Sequence, residues 1–348
     1  MRTKRAKRLV LCGLLLFLAC FQTGCGQLEI EDRAFPLALA ITAGKEAGMY
    51  DFSFFFEEMD TEGSSLYHKE DTVVTAAGYP QAFTLFGRVQ AAGLDDSHMQ
   101  VILMSQELLL DEDFLESFYP YFLKEHHFSW NTMVYLLDEN SVSPKELRES
   151  TGGKIGTYLR DMAQSDEQEK TAGVPTLGDL YMEWKDQDQT LLLPVLATTT
   201  PPSVDHYVLL TKGSPGVPFS VDNARMLQLL RGNLKKMQLE LSDGTIVRLE
   251  NIRRYRAYSA PNGQRMATRD RTEQKREGTE PLCRMMLVID CGLENRVDLP
   301  DAERETLMLE SERLLRERLE QVEQWVSVMV GNGRHVIPEY EIKMSWMD

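Results

Sequence analysis

The residues best suited to bind a metal or attack a substrate in this 348-residue chain are six histidines and five cysteines. Their spacing does not group them. His68, His98, His126, His127, His206 and His335 form no HExxH pair and no Cys/His knuckle, so a zinc site has no anchor in the sequence. Cys283 and Cys291 share the strand-like run LCRMMLVIDCG. At about 3.3 Å per extended residue they stand roughly 26 Å apart, beyond disulfide reach. No GxSxG elbow offers a serine nucleophile. Gly152–Gly156 (GGKIG) lacks the first glycine and the hydroxyl residue of a phosphate loop, with Arg148 and Ile155 in their places, and reads as a helix-entry turn. Carboxylate pairs such as Glu57-Glu58 and Asp95-Asp96 read as solvated faces. The chemistry expected of this chain is not catalysis, and no catalytic or metal residue is assigned.

The other three cysteines, Cys12, Cys20 and Cys25, sit in or beside an N-terminal apolar run. A basic MRTKRAKR precedes LVLCGLLLFLACF, and thirteen helical residues span about 20 Å. That is short of the roughly 30 Å hydrocarbon core of a bilayer, so a secretory signal is the better reading than a membrane span. Thr23-Gly24-Cys25 resembles a bacterial lipobox, with Gln22 in place of the usual aliphatic residue. The expectation is a signal peptide over 1–24 and a diacylglyceryl and N-acyl lipid on Cys25, with Cys20 as the alternative site. No other cofactor is expected.

Net charge is −16, and without the five basic residues of the leader 33 basic side chains face 54 acidic ones, or −21. Such a body is repelled by nucleic-acid phosphates. One segment runs the other way: Asn251–Arg276 carries Arg253, Arg254, Arg256, Arg265, Arg269, Arg271, Lys275 and Arg276 against Asp270 and Glu273. It reads as an exposed hairpin or loop or, more sharply, as a contact for anionic headgroups or an acidic partner surface.

These residues must be positioned by alternating helices and strands. Residues 36–59 read as two strands about a glycine turn, and 80–92 as a helix with Pro80 in its first turn and Ala82, Phe83, Phe86 and Val89 along one stripe. Strands are expected at 100–104 and in TMVYLLD, with an amphipathic helix in DEDFLESFYPYFL that Pro120 kinks or ends. Ser143-Pro144-Lys145-Glu146 is a capping box. Helices in KIGTYLRDMAQ and TLGDLYMEWK and a strand in TLLLPVLATT follow. Beyond them come a helix over 222–237, a hairpin about Asp243-Gly244, a strand in PLCRMMLVIDC, a helix over about 301–330 and a terminal strand in HVIPEYEIKMSW. The fold class is α/β passing into α+β, of about three domains, with mixed sheets and a long C-terminal helix followed by a strand. The expected division is 25–197 as an N-terminal α/β region of two subdomains, 198–215 as a linker or inter-domain loop, and 216–348 as a C-terminal α+β domain.

Several stretches, in order, resemble one family. Glu29-Ile30-Glu31-Asp32, SHMQVILMSQEL (Ser97–Leu108), the run from Tyr158 to Leu196 with its Leu-Pro-Val strand, and VDNARMLQLLRG (Val221–Gly232) are similar to the Ger(x)C family, the C-subunit lipoproteins of spore germinant receptors. Gly26 stands where that family usually has tryptophan. The resemblance covers nearly the whole mature chain. It implies a non-catalytic, lipid-anchored subunit on the outer face of the spore inner membrane, assembled with two integral membrane subunits and needed for the response to nutrient germinants. His98 falls in a matching segment and reads as a hydrogen-bonded structural residue.

Two other readings compete. A solute-binding lipoprotein of a transporter needs two similar α/β lobes, whereas the halves here read differently. A secreted cell-wall enzyme needs converging acidic or histidine side chains in a cleft.

Overall fold

The computed structural model describes residues 33–57, 71–90, 92–109, 111–125, 128–137, 143–164, 172–185, 190–197, 202–211, 214–259, 282–293, 299–330 and 339–347. Cys20 and Cys25 lie outside them, as do Arg265, Arg269, Arg271, His126 and His127.

The chain begins with β1 (Arg33–Ala34), β2 (Ala38–Ala43), β3 (Tyr50–Phe55), β4 (Thr72–Ala76), helix α1 (Tyr79–Gln90) and β5 (Gly93–Leu94). It continues through β6 (Val101–Ser105), α2 (Glu112–Glu125), β7 (Met133–Leu137), α3 (Pro144–Ser150), α4 (Ile155–Gln164) and α5 (Leu177–Lys185). Then come β8 (Thr190–Ala197), β9 (Ser203–Thr211), β10 (Ser214–Phe219) and α6 (Val221–Arg231). The last elements are β11 (Met237–Glu240), β12 (Ile246–Ser259), β13 (Leu282–Leu293), α7 (Asp301–Val330) and β14 (Glu339–Trp346).

An eight-stranded sheet has the order β10-β9-β8-β7-β6-β2-β3-β4. Its centre, β2-β6-β7-β8, is parallel, and both edges are closed by antiparallel strands. Parallel strands need covered faces, and all five residues of β6 are buried accordingly. Alternation sends Leu39, Ile41, Ile102, Met104, Val134 and Leu136 to one face. Ala38, Ala40, Val101, Leu103, Tyr135 and Leu137 go to the other. The first face takes the aromatic side chains of α1 and α2, including Phe86, Phe114 and Phe118. The second takes Leu147 of α3 and Ile155 and Leu159 of α4.

A four-stranded sheet, β11-β12-β13-β14, forms a second layer. β13 and β14 are parallel and joined through α7, whose buried Ser311, Leu315, Leu319 and Val322 follow the helical repeat. The core beneath α7 also contains Tyr207 and Leu209 of β9 and six apolar side chains around α6, from Phe219 to Leu230. Helix α6 is therefore buried on nearly every side between the two sheets.

Most expected elements are present, and the Ser143 box forms both hydrogen bonds, Glu146 N–H to Ser143 Oγ at 3.2 Å and Ser143 N–H to Glu146 Oε2 at 3.1 Å. Three differ. Helix α2 does not end at Pro120 but continues to Glu125, held by buried Phe114, Leu115 and Phe118 on one side of the proline and part-buried Tyr121 on the other. The helix expected over 222–237 ends at Arg231, because Gly232 adopts φ 81° and caps it by donating to the Leu229 carbonyl. Within 198–215, expected to be a linker or loop, residues 203–211 form β9, hydrogen-bonded on both sides. Its alternation was masked by flanking prolines and by polar Asp205 and His206, and the buried run Tyr207–Leu210 holds it in the sheet.

Candidate functional site

A cleft lined by charged and apolar side chains opens where α6, α7 and the β11–β12 turn meet. Ser220 caps α6 by accepting from Asn223 N–H at 3.2 Å. That geometry sets Asp222 in the first turn and Arg225 three residues on, on the same side of the helix. Arg225 is 7% exposed, an unusual burial for a guanidinium. It donates Nη2 to the Gln238 carbonyl on β11, and its Nη1 lies 3.4 Å from Asp222 Oδ1. Arg318 comes from the middle of α7, and its Nη1 lies 3.8 Å from Asp222 Oδ2. One carboxylate thus faces two guanidiniums, at distances longer than the usual charge-assisted hydrogen bond.

Gln238, Glu240, Leu241, Ser242, Ile246 and Leu314 complete the walls of a space of about 480 Å³. Ser242 Oγ donates to Glu310 on α7 at 2.9 Å, tying the turn to the helix. Burial pushes the Arg225 pKa down, and the nearby Arg318 charge adds to this, while Asp222 opposes both. The Asp222 side chain is 59% exposed, so its compensation is diluted by solvent. Chemically the arrangement can bind an anion.

The other groups singled out in the sequence do not converge on this cleft. Cys283 and Cys291 lie in one strand, β13, as expected. Burial first, and then the Asp290 charge, push the Cys291 thiol up to about 12, which makes it a poor nucleophile. His98 is exposed, with Nδ1 3.0 Å from Ser97 Oγ and its ring edge on Phe35. Among the described residues no cluster of three or more His, Cys, Asp or Glu side chains could hold a metal ion, and no helix is long and apolar enough to cross a membrane.

Of the basic segment, Arg253 is exposed on β12 and its charge helps to hold Asp290 ionised. Arg254 turns inward instead, donating to the Leu230 carbonyl and lying against Gly232 at the end of α6. A cation is favourable at a helix C-terminus, so this arginine has a structural task. Arg256 belongs to the same strand. Sequence reasoning did not find Arg225 and Arg318, since 93 residues separate them and no local motif marks either.

Comparison with known proteins gives the family. Residues 26–198 match the family model for the spore germination protein N-terminal domain. No curated protein matches the chain. Among solved structures it is similar to the crystal structure of the GerBC protein, at 10% identity and a TM-score of 0.45, covering 88% of this chain and 96% of that one. The chain belongs to the Ger(x)C family of spore germination proteins.

Proposed function

We propose that this protein is the non-catalytic, lipid-anchored subunit of a spore germinant receptor. Cys25 carries the diacylglyceryl and N-acyl groups, and the folded body sits at the outer face of the spore inner membrane beside two integral membrane subunits. The observation that carries this reading is the family match, which begins at residue 26, directly after Cys25. An acylated N-terminus bearing more than one chain gives stable membrane attachment without a spanning helix. The unlike sheets, one of eight strands and one of four, argue against the paired lobes of a solute binder. The division at 25–197 and 216–348 belongs to the same proposal, with β9 and β10 forming the edge of the first sheet next to the second half. Exposed Arg253 with Arg256, Arg265, Arg269 and Arg271, but not the inward-turned Arg254, is the proposed contact for headgroups or an acidic partner surface.

The test is deletion of the gene, complemented by the wild-type chain or by Cys25→Ala, with nutrient-triggered germination as the readout. Loss on deletion, rescue by wild type and weak rescue by Cys25→Ala are expected. Normal germination of the deletion strain overturns the receptor reading. Mass spectrometry of the mature N-terminus distinguishes acylation at Cys25 from acylation at Cys20.

A further inference from the structure

We propose that the cleft between α6, α7 and the β11–β12 turn binds a small organic carboxylate. The ligand's carboxylate would sit between Arg225 and Arg318, in the place now taken by Asp222. This goes beyond the receptor reading and does not rest on it.

Four observations support the assignment. First, the two guanidiniums already converge on one carboxylate, so the recognition geometry exists within the protein. Planar, fork-shaped guanidinium donors suit a carboxylate better than a point-charge ammonium would. Second, Asp222 is an incomplete occupant. Its contacts of 3.4 and 3.8 Å are long, and most of its side chain faces solvent. The Asp222 side of both contacts is solvated, which weakens them, so a ligand carboxylate can compete for the two guanidiniums.

Third, the charge balance selects the ligand. Two guanidiniums, Arg225 and Arg318, and two carboxylates, Asp222 and Glu240, line the cleft. A monocarboxylate that displaces Asp222 toward solvent preserves neutrality around the buried Arg225, whereas a phosphate dianion would meet Glu240 with excess negative charge. Fourth, the space suits a small molecule. About 480 Å³ falls within the usual range for ligand pockets. Leu241, Ile246 and Leu314 provide apolar wall for a short carbon chain, and Gln238 and Ser242 supply polar groups beside it.

The test uses the full chain, with butyrate and valerate as probes, read by calorimetric titration and by the shift in melting temperature. Inorganic phosphate and an acetylated, amidated Asp-Glu-Asp peptide serve as the comparison ligands. Saturable binding of butyrate or valerate is expected. Arg318→Gln should weaken it by about tenfold or more, the loss of one charge-assisted contact. Asp222→Asn, which removes the internal competitor, should tighten it several-fold. Circular dichroism of the unliganded variants checks that each is folded, and Asp222→Asn keeps the test decisive if Arg318→Gln is not. The proposal is overturned if neither carboxylate binds wild type or Asp222→Asn, or if folded Arg318→Gln binds as wild type does. It is equally overturned if phosphate or the acidic peptide binds and the small carboxylates do not.

Discussion

Tyr79 donates its hydroxyl to Asp96 Oδ2 at 2.7 Å, and both residues are wholly shielded from solvent. The bond ties the start of α1 to the turn that leads into β6. Around it the rings of Phe52, Phe118, Tyr121 and Phe128 pack with centroids 4.9 to 6.0 Å from that of Tyr79. Burial, reinforced by the Asp96 charge, pushes the Tyr79 hydroxyl well above its ordinary pKa. Tyr79→Phe keeps the ring and removes this donor from a buried carboxylate. The expected cost is about 1–3 kcal/mol, read as a lower urea midpoint at pH 7 with an unchanged slope. An unchanged midpoint would show that Asp96 does not depend on this bond.

Gly156 lies at the second position of α4, where a Cβ would come within 2.7 Å of the Leu37 carbonyl oxygen. The obstacle is backbone, which cannot swing aside as a flexible side-chain end can. Gly156→Ala should therefore destabilise the protein by about 1–3 kcal/mol despite alanine's better helix propensity. Gly152→Ala, in the open turn just before that helix at φ 62°, is the informative control. It is strained by its backbone conformation and meets no neighbour.

Asp290 links three strands of the second sheet, accepting from Ser345 Oγ on β14 at 2.7 Å and from Asn251 Nδ2 on β12 at 3.0 Å. The Ser345 bond, then the Asn251 bond, outweigh the effect of burial and hold its carboxyl below the ordinary range. A depressed carboxylate pKa adds stability above the unfolded value of about 3.9 and loses it as pH falls through the folded value. Asp95 behaves alike. Burial raises its pKa, but hydrogen bonds from Ser97 and the Arg33 contact at 3.0 Å lower it further. Denaturant midpoints measured from pH 7 down to pH 2 should drop at the acid end. Asp290→Asn should flatten part of that drop, and an identical profile would contradict the assignment.

Cys291 is fully buried, and its thiol is pushed up to about 12. Under native conditions at pH 8 it should resist alkylation by iodoacetamide, and in urea it should react at the rate of an ordinary thiol. Peptide mapping separates it from the other four cysteines. Rapid native labelling would show that β13 opens locally.

Much of the fold was legible because its signals are local. The Ser143–Glu146 box, the apolar stripe of α1 and the glycine turn between β2 and β3 all arise from contacts within a few residues. Where local reading failed, a distant partner decided. Pro120 disfavours helix, yet the surrounding aromatic residues dock on α1 and the sheet and carry α2 through it. β9 looked like a linker between domains, and only β8 and β10 on its two sides make it a strand.

The sequence by itself determined the alternating elements, the acidic body, the absence of a catalytic motif and the likeness to the Ger(x)C family, because periodicity, caps and motif order are written along one dimension. The tertiary structure alone decided that β14 pairs parallel to β13, that Arg254 caps α6, and that Arg225 and Arg318 share one carboxylate. Those pairings depend on how helix and sheet faces pack across long separations in the chain, and a buried guanidinium becomes a binding group only when that packing brings a second one beside it.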